Sequence, residues 1–142
     1  MTQVEFLHGA NDRLQAVAGW LAAAAAEGRR VIVFAPQRAE YERLDHLLWS
    51  QPPTAFVAHC SAGDRLAPVT PIVLAADLDA PVCDDCLLNF SDQVPPGFSR
   101  FRQVVEIVSV DDLDRTQGRD RYRYYRERGY PIVASDIATV IG

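Results

Sequence analysis

Six arginines lie between residues 115 and 128, in the segment RTQGRDRYRYYRER. On an α-helix, where successive residues are about 100° apart, most of these side chains share one side within an arc of about 100°. That side carries Arg115, Arg119, Tyr122, Arg123 and Arg126. Guanidinium groups bind carboxylates and phosphates through two parallel hydrogen bonds, and an adjacent tyrosine adds apolar contact. The segment therefore predicts a binding surface for an anionic partner that also carries a hydrophobic group.

Two other interpretations use the same residues. A charged helix is often only a solvated surface helix with i,i+4 ion pairs. Here, however, six arginines face only Asp120 and Glu127 within the segment, in a chain whose net charge is −5. Such segregation favours a specific acidic partner over mere solubility. The third interpretation is direct binding of single-stranded nucleic acid, with arginines on phosphates and Tyr122 or Tyr125 stacked on bases.

The composition limits the remaining classes. A chain of 142 residues with 49% hydrophobic content is expected to form one domain spanning residues 1–142. A pI near 5.1 argues against general binding of duplex DNA, which needs a broad positive surface. The amino terminus does not resemble a secretion signal, and no apolar run approaches the length of a bilayer. We therefore expect a cytoplasmic protein with no membrane partner.

Catalysis has no support in the sequence. The first predicted strand-to-helix turn, LHGANDRL, has neither of the glycine patterns that surround phosphates, and the chain contains no lysine. His8, His46 and His59 show no catalytic spacing with a nucleophile or a carboxylate. The prediction is a protein that is not an enzyme by itself and that needs no cofactor.

Cys83 and Cys86 form a CxxC motif, which could be a redox pair or half of a zinc site. Two aspartates separate the cysteines and disfavour a thiolate. A zinc site would need two further ligands, for which only His59 and Cys60 are adjacent candidates. We expect these cysteines to be structural and the protein to hold no metal.

A second unusual segment is LLWSQPPTAFVAHC at residues 47–60, where large apolar groups surround a proline-fixed turn. Aromatic residues presented from such a turn are typical anchors of a protein interface. Alternatively, Trp49 and Phe56 close the end of the core beneath the preceding helix. The residues alone leave both interpretations open.

The elements that position these residues follow from hydrophobic periodicity and from capping residues. Strands are predicted at 4–8, 29–35, 55–59, 71–77, 86–90 and 104–110. A first helix follows a cap at Asn11 or Asp12, a second begins at Pro36 and ends near Trp49, and the arginine-rich helix follows Asp111 or Asp112. The chain leaves that helix through Gly129 and Pro131. The expected fold is α/β, a single-domain mixed, mostly parallel sheet flanked by helices, Rossmann-like but without a nucleotide-binding loop.

The chain also resembles a known family, the chi subunits of bacterial DNA polymerase III holoenzyme, which are accessory proteins of the clamp loader. The resemblance covers nearly all 142 residues. It rests on VEFLHG near the start, LDHLLWSQPPTAFVAH, LLNFSDQVPPGFSRFRQVVEIV and the final RDRYRYYRERGY. It implies a chi-like domain over residues 1–142 and a non-catalytic subunit of a DNA-directed DNA polymerase complex in DNA replication.

The resemblance also implies two binding surfaces. In similar proteins the arginine-rich helix captures the acidic C-terminal tail of single-stranded-DNA-binding protein, which ends in a hydrophobic residue. By that likeness Arg119 holds the terminal carboxylate, Tyr122 forms part of a hydrophobic wall, and Arg115 and Arg123 meet the acidic residues upstream. The link to single-stranded DNA is then indirect.

The second implied surface is made by Trp49, Pro52, Phe56 and His59. In similar proteins it binds the psi subunit, which joins chi to the clamp loader, or alternatively a helicase. The resemblance therefore predicts a linker between the polymerase machinery and protein-coated single-stranded DNA.

Overall fold

The computed structural model describes residues 2–50 and 57–141. Seven strands and four helices follow one another along these residues. They are β1 Gln3–Ala10, α1 Arg13–Ala26, β2 Val31–Phe34, α2 Arg38–Trp49, β3 His59–Ser61, β4 Ile72–Ala75, β5 Cys86–Asn89, β6 Gln103–Ser109, α3 Asp112–Glu127, β7 Ile132–Asp136 and α4 Ala138–Ile141. Short 3-10 turns lie at Ala67–Val69 and Phe98–Arg100.

The strands form one sheet in the order β3-β4-β2-β5-β6-β1-β7. Each pairing between the described strands is parallel. The predicted α/β class is confirmed, and the sheet is more uniform than the mixed sheet we expected. The inner strands are buried on both sides, as continuous apolar runs such as Val31–Phe34 require.

Helices cover both sides of the sheet. On one side, α1 and α2 pack on a core that includes Leu7, Val33 and Leu88. On the other side, α3 and the turn at Phe98–Arg100 cover a second core. In the part of the chain that the structure describes, no helix is long and apolar enough to cross a membrane.

Two helices start where the sequence predicts, whereas α2 begins at Arg38 rather than at Pro36. The Asp12 carboxylate accepts a hydrogen bond from the Gln15 amide at 2.9 Å and caps α1. The Asp111 carboxylate likewise accepts from the Asp114 amide at 3.2 Å and caps α3. These two carboxylates fix where the helices leave the sheet.

Three further elements differ from the prediction. The strand expected at 55–59 begins only at His59, and residues 55 and 56 lie outside the described residues. The Val57 carbonyl oxygen lies 2.8 Å from Nδ1 of the His59 ring. This carbonyl therefore contacts a side chain, and pairing with β4 begins at His59. Beyond Pro131, where no element was predicted, the chain adds β7 at the sheet edge and then α4.

Candidate functional site: an arginine-lined groove

A cavity of about 450 Å³ lies where α3 packs over β1 and the edge strand β7. This cavity brings distant parts of the chain together, because five strands lie between β1 and β7 in the sequence. The lining residues are Phe6, His8, Arg119, Tyr122, Arg123, Arg126 and Ala134. We call this cavity the arginine groove.

An aromatic pair forms the apolar part of the groove. The rings of Phe6 and Tyr122 pack edge to face with their centroids 5.3 Å apart. Phe6 is buried and Tyr122 is half-buried, so the tyrosine ring is held against the sheet and still borders the cavity. A hydrophobic group entering the groove would meet these rings.

The charged part of the groove comes from α3. Within the described residues, Arg119 makes no ion pair or hydrogen bond, so its guanidinium is available to a ligand. Arg123 lies 3.8 Å from Asp120 in a pair whose two side chains are both more than half exposed. Such exposed pairs contribute little and are easily exchanged for another anion. Arg126 lies over the Tyr122 ring at 6.0 Å.

The structure brings together three of the four residues predicted to bind the tail. Arg119, Tyr122 and Arg123 line the groove, whereas Arg115 does not. The Arg115 side chain is half exposed and lies 3.8 Å from Asp112, one turn closer to the start of the helix. Any contact with Arg115 would therefore be made outside the cavity.

Sequence reasoning missed the sheet side of the groove, which consists of Phe6, His8 and Ala134. Phe6 and His8 are two residues apart on β1, so their side chains lie on the same side of the sheet. The predicted strand at 4–8 was therefore enough to place these two side chains together. Ala134 had no signal, because β7 itself was not predicted.

The buried side of α3 holds a polar cluster rather than a plain apolar stripe. Arg121 and Glu106 are 2% and 0% exposed, and the Arg121 Nε donates to Glu106 Oε1 at 2.9 Å. Tyr125 donates its hydroxyl to Glu106 Oε2 at 2.7 Å, and Asn89 Nδ2 donates to the same oxygen at 2.9 Å. We call these four residues the Glu106 cluster.

The Glu106 cluster corrects two sequence-based interpretations. Arg121 counts toward the positive charge of the segment, but its charge is paired with Glu106 inside the protein. Tyr125 is fully buried, so of the two tyrosines that the nucleic-acid interpretation offered for stacking on bases only Tyr122 is accessible. Burial, with a further effect of the Glu106 carboxylate, raises the pKa of the Tyr125 phenol far above its ordinary value.

Close contact between α3 and β6 depends on Gly118. A Cβ atom built at this position would lie 2.7 Å from Val108 Cγ2, which is shorter than van der Waals contact. Glycine therefore lets the helix backbone approach the strand. This approach and the Glu106 cluster together set the distance between α3 and the sheet, which we call the height of the groove.

The second predicted surface is only partly described. Trp49 is 58% exposed at the end of α2, which favours its presentation at the surface over a role in closing the core. Its ring packs against His59 at a centroid distance of 4.8 Å. Pro52 and Phe56 lie outside the described residues. We call this surface the Trp49 face.

His59 lies beneath Trp49 rather than beside it. Its side chain is buried, Nε2 lies 3.1 Å from Asp45 Oδ1, and Nδ1 lies 2.8 Å from the Val57 carbonyl oxygen. Both ring nitrogens are thus held by acceptors. His59 therefore supports the tryptophan ring and does not itself present a surface to a partner.

Burial shapes the environment of Cys83 and Cys86. Cys60, Cys83 and Cys86 are all free. Burial raises the pKa of Cys86 to about 12 and also raises the pKa of Cys83. Across the described residues, no three metal-binding side chains cluster. A protonated thiol is a poor nucleophile and a poor metal ligand.

These features define a class: an α/β domain whose described strands are all parallel and which carries a basic groove with an aromatic wall. The comparisons give the family. The family model described as "DNA polymerase III chi subunit, HolC" matches residues 1–133. The chain belongs to this family, whose members are non-catalytic accessory subunits of the replicative polymerase.

Three relatives carry the name DNA polymerase III subunit chi. The chain is 32% identical to the Pseudomonas aeruginosa protein over 139 residues, which cover 93% of this chain and 94% of the relative. The identity is 29% to the Escherichia coli K12 protein, covering 84% of each. It is 27% to the Haemophilus influenzae protein, covering 78% of this chain and 77% of the relative.

Solved structures are similar in fold, and one of them illustrates the likeness. It is a chain from the crystal structure of the E. coli DEAD-box protein SrmB bound to regulator of ribonuclease activity A (RraA). The TM-score is 0.61 and the identity 17%, and the alignment covers 99% of this chain and 94% of that chain. At this identity the likeness concerns the fold alone.

Proposed function

We propose that this chi subunit captures the acidic C-terminal tail of single-stranded-DNA-binding protein in the arginine groove. The observation that carries the proposal is the combination of three arginines with an aromatic wall in one cavity of about 450 Å³. An acidic peptide that ends in a hydrophobic residue has the complementary chemistry, because it offers carboxylates and an apolar side chain together.

Each groove residue has a distinct role in this proposal. Arg119 binds the terminal carboxylate, since its guanidinium has no other partner among the described residues. The terminal hydrophobic side chain packs on Tyr122 and Phe6. Arg123 exchanges Asp120 for an acidic residue of the tail. Arg115 lies outside the cavity, one turn nearer the start of α3 than Arg119, so it adds positive charge beside the terminal carboxylate rather than meeting an upstream acidic residue.

Fluorescence anisotropy with a labelled tail peptide tests the proposal. We expect micromolar affinity, which corresponds to about −8 kcal/mol, and a loss of at least tenfold with Arg119→Ala. Arg38→Ala is the matched control, because Arg38 is an exposed helical arginine paired with Glu42 far from the groove. Normal tail binding by Arg119→Ala would overturn the assignment of Arg119.

The ligand side of the same experiment separates peptide capture from nucleic-acid binding. A peptide lacking its last residue loses both the apolar group and the correctly placed carboxylate, so we expect it to bind far more weakly. A single-stranded oligonucleotide has neither feature. If the oligonucleotide binds and the peptide does not, the groove is a nucleic-acid site instead.

We further propose that the Trp49 face binds the psi subunit and so links the captured tail to the clamp loader. This proposal is supported by Trp49, which is 58% exposed and whose ring packs on the buried His59 ring. Rigid exposed aromatic rings are frequent anchors of interfaces. Trp49→Ala should abolish co-purification with psi, and Val69→Ala, which alters an exposed residue elsewhere, should not. Capture of a helicase but not of psi would reassign this surface.

The organisation and location of the protein follow from the same role. We propose that residues 1–142 are one chi-like domain that works in the cytoplasm, where bacterial DNA is replicated. Limited proteolysis should then leave a single resistant fragment, and fractionation should place the protein with the replication machinery.

A further inference from the structure

The edge strand β7 forms one border of the arginine groove. It pairs with β1 alone in the described part of the sheet, and it is the last strand in the sheet order. Its residues are half-buried or exposed, with Val133 at 64%. The outer side of β7 therefore offers main-chain groups to solvent.

The hydrogen-bond pattern shows which groups these are. The Val4 amide donates to the Pro131 carbonyl at 2.9 Å, and the Ile137 amide donates to the His8 carbonyl at 2.9 Å. In a parallel pair, alternate residues of a strand direct both amide and carbonyl to the same neighbour. Val133 therefore points to β1, while Ile132 and Ala134 point their amides and carbonyls outward.

The outward-pointing groups are continuous with the groove. Ala134 lines the cavity with its side chain and directs its main chain to the open edge. A peptide whose last side chain enters the groove thus has the free edge of β7 directly beside its backbone. Main-chain pairing on an exposed sheet edge is a common way to hold an extended peptide.

We propose that the captured acidic tail adds to the sheet as an eighth strand along β7, so that main-chain hydrogen bonds to Ile132 and Ala134 supplement the arginine contacts. This inference rests on the proposed tail capture. The positive charge of α3 beside this edge selects an acidic strand as the occupant, since Arg119, Arg123 and Arg126 all border the groove.

The geometry also sets the direction and the length of the added strand. Helix α3 carries the chain from the end of β6 back to the start of β7, so it runs opposite to the strands. A terminal carboxylate on Arg119 then lies toward the end of β7, and the tail runs parallel to β7. The seven residue-to-residue steps from Arg119 to Arg126 span about 10.5 Å, which matches about three strand residues.

Amide hydrogen exchange measured by NMR, with and without saturating tail peptide, tests the inference. We expect the Ala134 amide to exchange at least tenfold more slowly in the complex. The Val133 amide is the internal control, because it already faces β1 and should change little. The experiment needs no variant and so does not depend on whether a substitution folds.

A second arm uses tail peptides that carry one backbone N-methyl group at a time and keep all side chains. If the tail pairs as a strand, affinity should fall at least fivefold at alternate positions and remain near normal at those between. Ala134→Pro removes the outward amide and should weaken binding by a similar factor, since proline is tolerated on the open side of an edge strand.

The outcomes separate the two proposals. If the peptide binds and the Ala134 amide is unaffected, the strand addition is wrong and groove capture stands. If the peptide does not bind, both proposals fail. If Ala134 is already protected in the free protein and sedimentation shows a dimer, the edge pairs with a second copy of the chain and the strand addition is overturned.

Discussion

Arg119 and Arg121 are two positions apart on α3 and have opposite environments. Residues i and i+2 of a helix point about 200° apart, so one arginine borders the groove while the other lies against the sheet. The helical arc drawn from the sequence included Arg119 and left Arg121 outside. It could not show that a glutamate in the middle of an apolar strand would neutralise Arg121.

The Glu106 cluster should dominate the stability of α3. We expect Arg121→Met to lower the free energy of unfolding by about 3–5 kcal/mol, because it leaves the buried Glu106 carboxylate without its cation. Tyr125→Phe removes one neutral donor and should cost about 1–3 kcal/mol. Urea unfolding followed by circular dichroism measures both.

The control for these variants is Arg115→Met, an exposed change on the same helix that should leave stability nearly unaltered. The double variant Glu106→Gln with Arg121→Met should be less destabilised than the sum of the single changes. Strict additivity would show that the two side chains do not act as a pair.

The reactivity of the Cys86 thiol tests whether this side chain is buried. The pKa of Cys86 is raised from an ordinary 9.0 to about 12, so at pH 8 its thiol stays protonated in the folded protein. We expect Cys86 to react with a disulfide reagent only after denaturation, measured in a protein with serine at positions 60 and 83. Rapid labelling of the native protein would contradict the buried environment.

The raised pKa of Cys86 also makes the stability of the protein depend on pH. The folded state keeps the Cys86 proton above pH 9, where the unfolded chain releases it. The stability associated with this thiol is therefore fully present below pH 9 and is lost as the pH rises toward 12. A Cys86→Ala variant should show a weaker loss of stability over that interval.

At the scale of single elements, the sequence predicts buried strands and capped helices well. Val31–Phe34 and Ile72–Ala75 are continuous apolar runs because both sides of these strands are covered. Asp12 and Asp111 mark helix starts through a local hydrogen bond that needs no tertiary context. Such elements carry their own signal.

The edge strands lack that signal, which explains why they were misplaced or missed. β3 has three residues and β7 has an exposed outer side, so neither requires a long apolar run. The same difference applies to the arginine groove. Its α3 residues could be predicted from helical spacing, whereas Ala134 could not, because β7 was not predicted. The part of the site that the sequence did not predict is therefore the part that an edge strand supplies.

The packing of α3 on β6 leads to a prediction about Gly118. Alanine favours an isolated helix by about 1 kcal/mol over glycine, but here its Cβ would meet Val108 at 2.7 Å. We therefore expect Gly118→Ala to destabilise the protein by about 1–3 kcal/mol through strain. Thermal unfolding measures the change.

The double variant Gly118→Ala with Val108→Ala should recover much of the loss, because it removes the methyl groups that the new Cβ meets. A stabilised single variant would show that α3 can move away from the sheet at little cost. In that case the height of the groove is not fixed by this contact.

At the scale of the whole molecule, the two proposed surfaces lie near opposite edges of one sheet. His59, which supports Trp49, begins β3 at one edge, and the arginine groove lies beside β7 at the other. Six strand spacings of about 4.8 Å separate these edges by about 29 Å. A rigid parallel sheet at this separation is suited to hold two partners at once without contact between them.

This separation predicts independent binding with different responses to salt. Arg119→Ala should leave psi binding unchanged, and Trp49→Ala should leave tail affinity unchanged, because sites this far apart are usually additive. Raising the ionic strength from about 0.1 M to 1 M shortens the screening length from about 10 Å to about 3 Å. Tail binding to the arginine groove should then weaken strongly, while psi binding to the aromatic Trp49 face should change little. Parallel calorimetric titrations of both partners at the two salt concentrations measure this, and equal weakening would show that the Trp49 face also depends on charge.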